Sequence, residues 1–586
     1  MKNFCLMMAL LALVSWSASC GGAKPTTKGP DETIAGETAA SEAGAQEVSA
    51  EAKARSQAEM MQAIGLLGSG DAKGALPLLG KATESDPGNH DAWLLLGKVQ
   101  RGGGQLDQAL DSFRRVLELP RGASTAMYEI GLTHAIKGER EQALSWLTKA
   151  RATGKVDTTQ VANHPAGAKL ADDPRFAELF PSATEFSDSF VERVQVIRQW
   201  QGEAPGDQFG WIARTIGDVD GDGIADMVTS APTHKRGEKA AGKVYVYSGK
   251  TGALVWSQLG PDGSELGTGL EAAGDVDGDG VPDVVAGGPK TDQAFVYSGK
   301  DGSVLWPLAP AAKGVGFGTA ATGIGDIDND GHADVAIGAP KDDQGAVHVY
   351  SGKTGRILAT LRGEAAGDKF GSAIDGVARG GVALLVIGAP DAGLGKRGRV
   401  YVYRALDQRP AFTIESDEQG FELGGMFVSV IGDIDSDGVP DVYGSDWAHA
   451  ALGSYTGRIH VHSGASGRRL LTLTGEAKGD AFGIGPADAG DVDGDGHADL
   501  IVGAWQHRKL APAGGKVYLY SGKDGTLMHT YTGKVMGEAF GFDATGMGDV
   551  DGDGVIDFLL TSAWSAIAGT RSGRVYVVSG ARPAAR

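Results

Sequence analysis

Cysteine is almost missing from this chain: of 586 residues only Cys5 and Cys20 carry a thiol, both within the first twenty. The body of the protein therefore has no disulfide, no thiolate nucleophile and no thiolate metal site. Long apolar runs are missing too. Beyond the stretch from Phe4 to Val14, no segment is long and apolar enough to cross a bilayer. Basic residues are in deficit, with 54 Lys+Arg against 74 Asp+Glu and a formal net charge of −20. That balance argues against nucleic acid, whose binding requires cationic surface to release counterions. The 12 histidines are scattered. There is no Gly-x-Ser-x-Gly elbow, no His-Glu-x-x-His, no Cys–His pair and no phosphate-cradling loop, so the sequence is not expected to encode an enzyme.

What the chain has instead is aspartate in a fixed pattern. Asp-x-Asp-x-Asp-Gly-x-x-Asp, or a close variant, occurs six times. The carboxylates are Asp218, Asp220, Asp222 and Asp226; Asp275, Asp277, Asp279 and Asp283; Asp326, Asp328, Asp330 and Asp334; Asp433, Asp435, Asp437 and Asp441; Asp491, Asp493, Asp495 and Asp499; and Asp549, Asp551, Asp553 and Asp557. Four carboxylates within nine residues repel one another unless a cation sits among them. Hard oxygen donors at alternate positions, with a Gly that lets the backbone curl, suit Ca²⁺. About six Ca²⁺ ions are therefore expected, neutralising much of the net charge. His332 and His497 fall inside two of these loops and are expected to face solvent.

The loops begin 57, 51, 107, 58 and 58 residues apart. The long step holds a unit without the pattern, from Phe370-Gly371 through Val386 to Pro390, which makes seven units. Each opens on an aromatic- or Leu-Gly pair and continues through the Asp loop, an apolar run, an alternating run such as Val347 to Lys353, and a last short strand. Short β-branched runs between Gly-rich turns read as a four-stranded meander, and seven of them as a propeller. The last unit ends at Gly580 without a fourth strand. Val196 to Gly210 matches Ile357 to Gly371 almost position for position, so the first strand is expected to complete the last blade.

These residues resemble the FG-GAP repeat family, the seven-bladed propeller of integrin α-subunits and of many bacterial surface proteins. The resemblance spans about residues 190–580. It implies calcium loops on one face and a ligand face opposite. The unit that departs from the pattern, the fourth, is expected to bind no metal. On the ligand face, blades five to seven carry Trp447, Trp505 and Trp564 where the earlier blades have Pro, and His449 and His507 follow in the loops. These five residues are candidate ligand contacts, forming an aromatic platform for a sugar or a protein side chain; the alternative is that the tryptophans are wedges between blades.

From about Glu51 to Ala150, within a helical domain expected over residues 51–185, the period changes to 34. Gly70, Gly104 and Gly138 align, as do Ala75, Ala109 and Ala143, and Leu79, Phe113 and Leu147. This segment resembles three tetratricopeptide repeats, with Asp172 to Phe180 resembling a terminal capping helix. It reads either as a docking site for a peptide or protein or as a spacer. Residues 21–50 are poor in large apolar side chains and read as a tether. Residues 1–20 read as a secretory signal, and Cys20 after small residues resembles the bacterial lipoprotein cleavage site, where the Cys is lipidated. The fold class is thus α+β multidomain: a helical tetratricopeptide solenoid followed by an all-β seven-bladed propeller. The expected function is a calcium-stabilised, lipid-anchored surface protein, on the outer membrane or cell surface of a bacterium, that engages an extracellular protein or glycan. The alternative is an extracellular enzyme acting on polysaccharide or lipid at the same face.

Overall fold

The computed structural model describes residues 48–580. The signal, Cys20 and most of the tether lie outside the described residues. The chain forms two compact units. It divides after Val156, except that Pro165–Phe176 belongs with the first unit and Asp157–His164 with the second.

The first unit holds three antiparallel helix pairs: α1 (Ala50–Gly68) with α2 (Ala72–Ser85), α3 (His90–Gly102) with α4 (Leu106–Leu117), and α5 (Ala123–Lys137) with α6 (Arg140–Ala152). Ser49, Asp71 and Asn89 cap α1 to α3 by accepting backbone N–H groups, which satisfies donors that the first turn leaves open. The 34-residue period is a packing period. A Cβ on Gly97 would lie 2.5 Å from the Phe113 ring, and one on Gly131 would lie 2.7 Å from Leu147. Only a residue without a side chain lets these helices approach so closely. The expected capping helix is corrected. Only Pro174–Ala177 is helical, and the chain passes from one unit to the other directly after Phe176. Asp173, just before this turn, accepts the backbone N–H and the guanidinium of Arg175 and caps its start.

The second unit is the propeller. Seven four-stranded antiparallel sheets follow one another, each strand beside the next in sequence. Blade one comprises Ala213–Gly217, Asp226–Ala231, Lys243–Tyr247 and Leu254–Leu259. The first strands of successive blades pack side by side around the axis and close from the seventh blade onto the first. Carboxylates stitch these inner strands together. Arg214 of blade one binds Glu271 of blade two at 2.7 Å and also pairs with Asp543 of blade seven. Asp375 of blade four accepts from Ser429 and from the backbone of Val430 in blade five.

Ring closure follows the alignment of the first and fourth segments. Val196–Gln201 pairs antiparallel with Arg574–Val578 and becomes the outer strand of blade seven. Its Trp200 donates its indole N–H to Gly252 of blade one at 3.0 Å. Gln258, at the same place on the outer strand of blade one, does the same with its side-chain amide to Gly302 of blade two at 2.8 Å. The clasp strand therefore repeats the contact made by an ordinary outer strand, and it removes an open sheet edge. Residues just before it extend the clasp. Glu192 accepts from Thr530 and Thr532 of blade six, and Phe190 packs edge-on against Phe540 and Tyr576.

Candidate metal centres and the opposite loop face

Each Asp loop joins the first two strands of its blade, and its geometry comes from backbone hydrogen bonding. In blade one the first carboxylate, Asp218, accepts from the N–H groups of Gly221, Asp222 and Gly223, curling the chain around itself. These N–H donors hold Asp218 below the usual carboxylate range. The last carboxylate does something else. Asp226 is fully buried and takes the N–H of Val219 on one oxygen and that of Gly249, in the third turn of the blade, on the other. The same double contact recurs at Asp283, Asp334, Asp441, Asp499 and Asp557. This aspartate is thus a staple between two turns as well as a candidate ligand, a role that the Asp spacing by itself does not disclose. Burial pushes Asp283, Asp334, Asp499 and Asp557 up to about 6 and Asp441 up to about 7.

The loops bring carboxylate oxygens within 4.8 Å of one another in sets such as Asp218, Asp220 and Asp226; Asp326, Asp328 and Asp334; Asp433, Asp435 and Asp441; and Asp491, Asp493 and Asp499. Blade two gathers Asp275, Asp277 and Asp279 instead. An all-oxygen, multiply charged donor set of this size fits a hard divalent cation. In the fourth blade, Ala373–Arg379 and Val382–Ala389 are joined by Gly380-Gly381, both left-handed, and this two-residue turn offers no carboxylate.

Two expectations on this face are corrected. His332 Nδ1 lies 2.8 Å from the carbonyl of Val276 in the Asp loop of blade two, and His497 Nδ1 lies 2.7 Å from Ile434 in that of blade five. Each is half-buried and bridges to the preceding loop rather than facing water. The other Asp loops have Ile or Val at this position, for example Ile224 and Val281.

The opposite face carries the second connections, and they are uneven. Those of blades five, six, seven and one span residues 447–457, 505–515, 563–573 and 232–242, whereas blades two and three need only 289–292 and 340–345. The long loops share one frame. The third residue of each, His234, His449, His507 or Ser565, donates its N–H to the last residue of the preceding strand and accepts from a Gly ten or fewer residues on. The side chains at this position reach carboxylates of the inter-blade segment: His449 to Asp417 at 2.8 Å, His507 to Glu476 at 3.7 Å, and His234 to Asp207 at 3.2 Å. His449 and His507 are buried, so their expected role as ligand contacts is replaced by loop closure. His234 belongs to the same set and was not singled out by the sequence.

The tryptophans are likewise revised. Trp447 is 1% exposed and stacks on Tyr455 at 5.6 Å; Trp505 is 2% exposed and meets Phe542 and Trp564 edge-on, at 5.5 and 4.7 Å. Both are wedges. Trp564 differs, because the register places Ser562, not Ala563, opposite the third strand where blades one and six have Ala231 and Ala504. Trp564 is therefore one residue beyond the position of Trp505, partly exposed, with the Arg571 guanidinium 4.5 Å over its ring. Trp211 of blade one, also partly exposed, completes the cluster against Phe542 at 4.8 Å.

Sheet order, aromatic-Gly seams and Asp loops together define an FG-GAP repeat propeller preceded by tetratricopeptide-like helices. Family matches fall in the same places: tetratricopeptide repeat over residues 66–130, FG-GAP-like repeat over 275–337, and FG-GAP repeat over 209–247 and 487–520. Among individual proteins, the chain is similar to integrin alpha-4 of Xenopus laevis, 32% identical over 189 residues, covering 29% of this chain and 18% of that protein. It is 31% identical over 189 residues to integrin alpha-2 of Mus musculus (29% and 16%) and 32% identical over 246 residues to integrin alpha pat-2 of Caenorhabditis briggsae (36% and 19%). The chain thus spans less than a fifth of the length of these relatives. Among the described residues no helix is long and apolar enough to cross a membrane.

Proposed function

We propose that this protein is a calcium-stabilised surface adhesion or scaffold protein that engages an extracellular protein or glycan through the second-connection face of its propeller. One observation carries the reading: four consecutive blades, five, six, seven and one, raise long second connections of common frame over a stiff ring. Loops held on a rigid scaffold are where recognition usually resides. The similarity to integrin α chains supports binding over catalysis. The part of the face best suited to contact is the rim where Trp211 and Trp564 stay partly exposed. Ca²⁺ is the cation proposed for the six Asp loops, held by the carboxylates at the first, third, fifth and ninth positions, and its part is to pin the opposite end of each blade. The helical repeats offer a second protein-docking surface, and lipidation at Cys20 supplies the anchor to the outside of a bacterial cell.

A glycan and protein array probed with the purified full chain, with and without Ca²⁺, tests the proposal. Calcium-dependent retention of a ligand, lost on Trp564→Ala with an unchanged melting temperature, is the expected result. Turnover of a retained glycan would replace it with an enzymatic reading.

A further inference from the structure

Four side chains stand apart by exposure. Leu394 is 84% exposed, Phe421 62%, Leu452 60% and Leu510 56%, and no other exposed large apolar side chain among the described residues reaches these values. All four lie on the second-connection face of three consecutive blades. Leu394, Leu452 and Leu510 are in the second connections of blades four, five and six, and Phe421 is in the segment leading into blade five. Apolar side chains on a soluble surface are commonplace singly; the four most exposed falling on one arc of one face is a patch with a use.

We propose that this arc docks on the interfacial layer of a lipid bilayer bearing anionic headgroups. A leucine that is 84% exposed has little protein beside it, so its cover must reach it from nearly every side. A fluid interface does so without shape matching, whereas a folded partner would need a separate pocket for each of four tips on different loops. Charge points the same way. Lys396 and Lys509 stand beside Leu394 and Leu510, both exposed and without an ion pair among the described residues, on a chain whose net charge is −20. Of the nearby acids, Asp391 is taken by Lys369 and Asp417 by Arg458 and His449, which leaves exposed Glu418 and the partly buried Glu422 beside Phe421 as the opposing charges. Apolar tips flanked by cations are the composition that binds the membrane interface reversibly, with basic side chains drawn to anionic lipid.

The test uses the full chain with Cys5→Ser and Cys20→Ser, so that no acyl group contributes, and with Leu394→Cys carrying an environment-sensitive dye. Vesicles of phosphatidylcholine mixed with phosphatidylglycerol should shift the dye emission to the blue. Leu452→Ser with Leu510→Ser should weaken partitioning by about a hundredfold, at about tenfold for each tip removed, with little change in melting temperature, because exposed substitutions seldom disturb the fold. Lys396→Glu with Lys509→Glu should abolish the preference for the anionic vesicles. A dye that reports water throughout overturns the proposal. So does partitioning indifferent to the two serine substitutions, and so does a blue shift produced by a purified protein ligand but not by vesicles. None of these readouts depends on the outcome of the array experiment.

Discussion

The two ends of the propeller are built on opposite principles. One end repeats the same ionic loop six times, down to the buried aspartate that takes two backbone N–H groups at Asp226 and again at Asp557. The other end repeats only a frame, the closed turn around His234, His449, His507 and Ser565, and varies what the frame displays. A feature that stabilises blades one by one recurs from blade to blade, here in six of the seven, so it becomes periodic. A feature that recognises something outside need occur only once. Periodicity therefore marks stabilisation, and departure from it, such as Trp564 or the exposed Leu394, marks the places open to function.

If the ionic end stabilises and the loop end recognises, removing divalent cations should have the largest effect of any treatment. At millimolar Ca²⁺, loops with extracellular-type affinity each add about 1–2 kcal/mol by mass action. Six such loops acting on a unit of this size correspond to roughly a 10 °C fall in melting temperature in chelator. Differential scanning calorimetry with and without EDTA measures this, and an unchanged transition would remove the ionic half of the comparison.

Next in size is a substitution that asks whether the loop end is purely recognition. Trp505 is buried against Phe542 and Trp564, so Trp505→Ala should cost about 3–5 kcal/mol through the cavity it leaves. Urea unfolding gives the number. Loss of ligand retention with a native midpoint would return Trp505 to the recognition surface.

A third test concerns the sign of a pH dependence. Without metal, the carboxyls of Asp283, Asp334, Asp499 and Asp557 are raised to about 6 and that of Asp441 to about 7, against an ordinary 3.8. The folded state then holds protons that the unfolded chain has released, so what these five groups contribute to stability is greatest below about pH 4 and is lost as pH rises through 6 to 7. With Ca²⁺ in excess the slope should reverse, because protonation competes with the cation. Melting temperatures across this window in EDTA and in Ca²⁺ should converge at low pH and separate as pH rises, and parallel curves would dissociate these aspartates from metal.

Much of this architecture was legible in the residues. The Asp loops, the glycine-tied helix pairs and the returning strand from Val196 show themselves because repeats can be laid over one another. What was not legible depends on neighbours distant in sequence. Trp564 aligns by eye with Trp505, yet it sits one position further from its loop aspartate, and the strand register shows that this step takes it out of the buried wedge position. The burial of His449 and His507 follows from Asp417 and Glu476 in segments roughly thirty residues away. The segment that resembles a capping helix folds as a single turn, Pro174–Ala177, because the chain leaves one unit for the other directly after Phe176.

The smallest predicted effect probes how independent the six loops are. His332 hydrogen-bonds its own loop through its backbone N–H, given to Asp330, and the preceding loop through its ring, directed at the Val276 carbonyl between Asp275 and Asp277. Ordering either loop therefore helps to order the other, and His497 repeats the link between blades six and five. The loops joined by Ile224 or Val281 have no such hydrogen bond to lose. His332→Val should reduce stability in Ca²⁺ by only about 1 kcal/mol, the net value of one hydrogen bond. It should weaken Ca²⁺ binding at two sites while leaving the other four unchanged, which isothermal titration resolves as a split between two classes. Uniform weakening of all six would mean that the ring couples its loops through the strands, and that the ionic end acts as one site instead of as a set of linked pairs.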